Sequence, residues 1–84
     1  MYEDALIEYK KALQLNPDFL FTNLSLAGIY ALLDRQKEAE AAAKKVLELH
    51  PSFSVKRYAK IVQYKNPADL KLLVDALRKA GLPE

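Results

Sequence analysis

Two stretches of this 84-residue chain, residues 2–17 and 36–51, repeat one another at a spacing of 34 positions. The first reads YEDALIEYKKALQLNP and the second QKEAEAAAKKVLELHP. Ala5 pairs with Ala39, Lys10 and Lys11 with Lys44 and Lys45, Leu13 with Leu47, Leu15 with Leu49, and Pro17 with Pro51. A fixed period of this length is the signature of stacked helical units, each too small to bury its own apolar face. The spacing therefore predicts an all-α chain of antiparallel helical hairpins.

The matched residues resemble the tetratricopeptide repeat. Ala5, Tyr9, Ala12, Leu13 and Pro17 fit the second helix of that family's pattern, in which a small residue and a large aromatic stand four apart before Ala-Leu and a closing proline. Ala39, Ala43, Val46, Leu47 and Pro51 fit it with one departure, since Ala43 stands where an aromatic is usual. On the first helix, Leu26 and Tyr30 are typical, while Asn23 and Ala27 replace a large residue and a glycine. The resemblance implies a short right-handed solenoid. Residues 1–17 would be the second helix of a truncated repeat, 18–51 a complete repeat, and 52–84 a degenerate closing repeat.

Five helices are predicted. The first covers Tyr2 to Leu15, with Ala5, Leu6, Tyr9, Ala12 and Leu13 recurring at helical spacing. Pro17 ends it. Asp18 is the expected N-cap of a second helix from Phe19 to Leu33. A tight turn at Asp34-Arg35 leads to a third, Gln36 to Leu49, rich in alanine and carrying Glu40 four residues before Lys44. The echo continues faintly, as Phe53 answers Phe19, Tyr64 answers Tyr30 and Ser52 aligns with Asp18. It predicts a fourth helix over residues 54–64 with Val55, Tyr58, Ile61 and Val62 inward. Asn66-Pro67-Ala68-Asp69 is a strong start signal for a fifth. Its inward residues are Leu70, Leu73, Val74, Leu77 and Ala80, and its outward ones Lys71, Arg78 and Lys79. Gly81 is suited to close it and Pro83 to prevent its resumption.

Charge is uneven although the net is +2. Residues 1–51 hold eight acidic and six basic side chains, and residues 52–84 hold three acidic and seven basic ones. No aromatic platform or nucleic-acid motif accompanies Lys56, Arg57, Lys60 and Lys65, so they read as a hydrated outer surface rather than a nucleic-acid site. The chain lacks cysteine, which removes disulfides and thiolate metal sites and suits a reducing, cytoplasmic setting. No apolar run is long enough to suggest a membrane span.

No catalytic set can be assembled. The two glycines, Gly28 and Gly81, make no phosphate loop, and the single histidine, His50, reads as a helix-end residue. Asp34, Glu38 and Glu40 sit where helix starts favour acids. A non-catalytic chain with no cofactor and no metal is expected. The second helix is apolar on almost all sides, which demands cover on almost all sides. The family resemblance implies that its exposed part lines a groove for a protein or peptide partner, formed by Phe21, Leu24, Gly28 and Leu32; the alternative reading is that the other four helices bury these residues within the domain. The same positions hold lysine and asparagine in the family's carboxylate-clamping variety, so Leu24 and Gly28 argue against that specificity.

Residues 57–84 also resemble the C-terminal end of bacterial adenylate/guanylate cyclases with tetratricopeptide tails. Arg57-Tyr58, the segment Tyr64 to Pro67 and the closing Leu77 to Glu84 carry that likeness. It implies the tail of a larger signalling protein, with a regulatory or sensory role toward a linked cyclase domain. Because the first helix matches the second helix of a repeat, its Ala5, Tyr9 and Ala12 are expected to form an apolar stripe through which two copies pair as a homodimer.

Overall fold

The structure, a computed structural model, describes residues 2–61 and 67–84, of which 67–70 enter as helix backbone. It contains α1 (Tyr2–Leu15), α2 (Leu20–Leu32), α3 (Gln36–Leu49), α4 (Val55–Ile61) and α5 (Pro67–Lys79). No strand occurs among the described residues. Val62, Tyr64, Lys65 and the expected cap Asn66 lie outside the described residues, as does the side chain of Leu70.

Helix α2 is the axis on which the others pack. Thr22, Asn23, Leu24 and the unbroken run Leu26 to Ala31 are all buried. A 13-residue helix this apolar would leave much of its surface wet if only one partner covered it. Instead α1, α3 and α5 cover three of its sides. Helix α3 folds back along it, since Lys45 near the α3 C-terminus bonds Asp18 just before α2 at 3.0 Å. Ala39 and Ala43 are fully or almost fully buried, so their missing side chains let the α2 and α3 backbones approach closely. Helix α1 contributes Leu6 to the core and Ala5, Tyr9 and Leu13 to its edge. Val74, Ala76, Leu77, Ala80 and Leu82 bring α5 and the tail into the same cluster.

The helix ends explain how α5 is held. Helix α2 closes with the Arg35 N–H donating to the Tyr30 carbonyl at 2.8 Å and the Asp34 N–H donating to that of Ala31 at 3.1 Å. This is the Schellman pattern, with Asp34 in the left-handed region at φ 62°. The Arg35 guanidinium lies 5.2 Å over the Tyr30 ring, filling the place of the usual apolar contact across that motif. Helix α5 ends the same way, with Leu82 N–H to the Leu77 carbonyl, Gly81 N–H to that of Arg78 and Gly81 at φ 102°. The two closures are tied to each other. Lys79 Nζ meets Asp34 Oδ1 at 2.9 Å, and Gln36 Nε2 donates to the Lys79 carbonyl at 2.7 Å. Beyond Gly81 the tail returns to α4, where the Val55 N–H donates to the Pro83 carbonyl at 2.8 Å.

Three local expectations change. The N-cap of α2 is Phe19, with no side-chain cap bond, because Asp18 is drawn off to Lys45. Asn23 serves that turn instead, donating from Nδ2 to the carbonyls of Pro17 and Phe19 at 3.0 and 2.9 Å. The fourth helix is capped by Ser54, whose Oγ accepts the Arg57 N–H at 3.2 Å, rather than by Ser52. Ile61, expected inward, is 70% exposed, because the helix it ends is covered from its other side by α5 and the returning tail.

Candidate functional site

Helix α5 divides the surface that the sequence assigns to one groove. Its Leu73 Cδ1 and Leu77 Cδ2 would stand 3.2 and 3.7 Å from a methyl group placed on Gly28. The absent side chain of Gly28 is thus used within the chain, as the seat of α5. Leu24 is buried at 2% exposure, Leu32 is half-buried, and Phe21 is 56% exposed. The four residues do not line a single open channel.

Two grooves result. Gly28 and Leu32 floor one of about 370 Å³, walled by Tyr2, Ala5 and Tyr9 of α1 and by Leu72 and Leu73 of α5. The stripe on α1 expected to be bare is therefore partly covered, Ala5 and Tyr9 being half-buried. Phe21 and Leu24 belong to the other groove, of about 300 Å³, with Leu20, His50, Ser52, Phe53, Ser54, Arg57, Tyr58 and Ile61.

The second groove has distinct chemistry. Leu24 and Phe53, 7% exposed or less, form a recessed apolar floor. Phe53 stacks at a tilt on Tyr58, with ring centroids 6.0 Å apart, and meets the His50 ring edge-to-face at 6.4 Å. Phe21 stands on the lip; it packs edge-to-face with Phe19 at 5.8 Å, and both remain about half exposed. Ile61 stands opposite, on α4. From sequence, the α4 residues of this groove read as core or as hydrated surface, not as part of a groove. Their signal was present as a run from Pro51 to Ala68 without an acid, in which Phe53 and Tyr58 alternate with Lys56, Arg57 and Lys60.

Several acids among the described residues are occupied within the chain. Glu38 takes the Arg35 fork at 2.7 and 2.8 Å, and Glu40 accepts from Gln36. The Asp34 carboxyl is held below its usual range, first by its hydrogen bond from Lys79 and then by that ammonium's charge. Glu84 is lowered chiefly by its hydrogen bond from Arg78, which it meets at 2.6 and 2.9 Å. Among the described residues, no group of three or more His, Cys, Asp or Glu side chains converges, and no helix is long and apolar enough to cross a membrane. No protein-family model, characterised protein or solved structure matches the chain.

Proposed function

We propose that this chain is a non-catalytic protein-interaction module of tetratricopeptide type, a short right-handed solenoid whose last repeat is degenerate. The observation that carries the reading is the Phe21–Ile61 groove. Exposed aromatic and aliphatic side chains stand at the mouth of a recessed apolar floor, which is the anatomy of a site that receives anchoring side chains. The 34-residue period supports the same reading, because repeats of this kind stack to present surfaces. Helix α5 is here the element seated on Gly28, and the exposed aromatic side chains stand at the α2–α4 end instead.

Selection of peptide segments from a random displayed library on the immobilised chain tests this reading. Binders enriched by the native chain and lost on Phe21→Ser and Ile61→Ser, both exposed and both retaining helicity, are the expected result. Enrichment indifferent to both substitutions would reject the groove as the binding surface.

A further inference from the structure

We propose that the Phe21–Ile61 groove takes an acidic amphipathic protein segment, one that inserts apolar side chains between Phe21 and Ile61 and lays carboxylates along α4. The inference rests on the interaction reading above and adds the chemistry of the partner. It starts from the rim. Arg57 lines the groove, and Lys60, three residues on, extends the same flank of α4 by one turn. Both are exposed. Neither side chain has an ion-pair partner among the described residues. The acid-free run from Pro51 to Ala68 offers them no carboxylate from their own segment. Of the acids outside that run, Asp18 is engaged by Lys45 and Glu84 by Arg78.

An apolar floor beside uncompensated cations fits a ligand with the inverse pattern. The depth of the floor separates the candidate ligands. Leu24 and Phe53 are recessed behind Phe21 and Ile61, so a flat bilayer would touch the lip without reaching them. Side chains projecting from a peptide can enter. A protein segment fits the concavity better than an anionic membrane does.

The test uses the full chain and two synthetic helical peptides with the same leucine stripe, one carrying glutamate and the other lysine at all remaining positions. The glutamate peptide is expected to bind about tenfold more tightly at low salt, with the preference shrinking at about 0.5 M salt as screening sets in. Arg57→Glu combined with Lys60→Glu should reverse the preference, Phe21→Ser should weaken both peptides, and Lys71→Glu, an exposed change on α5, should leave the preference in place. Equal binding of the two peptides, or a reversal produced equally by Lys71→Glu, would overturn the acidic assignment while the library result still stood. Failure of both peptides to bind would overturn it as well. So would Phe21-dependent binding to phosphatidylserine vesicles without peptide discrimination, which would assign the surface to lipid.

Discussion

Asn23 holds a position where the repeat pattern favours a large residue, and its chemistry explains why a polar one is tolerated. The side chain is 3% exposed, yet its amide nitrogen satisfies two carbonyls of the turn that enters α2. Truncation leaves those acceptors without their donor, so Asn23→Ala should cost about 1–3 kcal/mol, read as a fall in urea midpoint at unchanged slope. Asp34 tells a related story. A residue with a Cβ at φ 62° is costly, and glycine is the usual occupant, so the sequence marked a turn there without revealing its hand. The bond to Lys79 explains why an acid stands in that place. Gly81, by contrast, was legible, because its place after Arg78-Lys79-Ala80 and before Pro83 leaves little else for it to do. At φ 102° any side chain is strained, whatever space surrounds it. Gly81→Ala should destabilise by about 1–2 kcal/mol and raise hydrogen exchange at the Leu82 and Val55 amides.

At the scale of helices, α1 and α3 begin and end where their periodicity, acids and prolines predicted. Those signals are local and need no knowledge of neighbours. Packing partners were less legible. Gly28 read as an opening for a partner, but the helix that approaches it comes from 45 residues further along the chain. No local pattern encodes which of several apolar faces α5 will choose. The two α2 contacts give separable predictions. Ala39 is fully buried against α2, so Ala39→Phe should overpack the α2–α3 seam and cost about 1–3 kcal/mol, seen as a lowered Tm. Gly28→Ala meets Leu73 at 3.2 Å, and Leu73 is only half-buried, so the side chain can turn away. The gain of roughly 1 kcal/mol in helix propensity should then prevail, and thermal melting should show an unchanged or raised Tm. A clear fall would mean that the α2–α5 contact is rigid.

For the whole molecule, the tail acts as a clasp. Lys79–Asp34 and Arg78–Glu84 join the end of α5 to the α2 closure and to the returning chain. Both carboxyls are lowered by their partners. Their contribution is therefore present above the ordinary carboxylate range and is lost as pH falls through the depressed folded values. Acid should loosen the tail first, visible as faster exchange at Ala80 to Leu82 while α2 stays protected. The same architecture sets the surroundings of the proposed groove. With α1, α3 and α5 wrapped around α2, the end bearing Phe21 is left to α4, and Leu24 is too deep to serve as a probe. Leu24→Asp should unfold the chain, whereas Phe21→Ser should not.

Resonance mapping of a library-selected segment on the labelled chain tests the central claim most directly. Shifts confined to Phe19–Leu24 and Phe53–Ile61, and abolished by Phe21→Ser in a chain that keeps its helicity, are the predicted outcome. Shifts concentrated instead on Tyr2, Tyr9, Leu72 and Leu73 would place binding in the groove beside α1 and contradict the account.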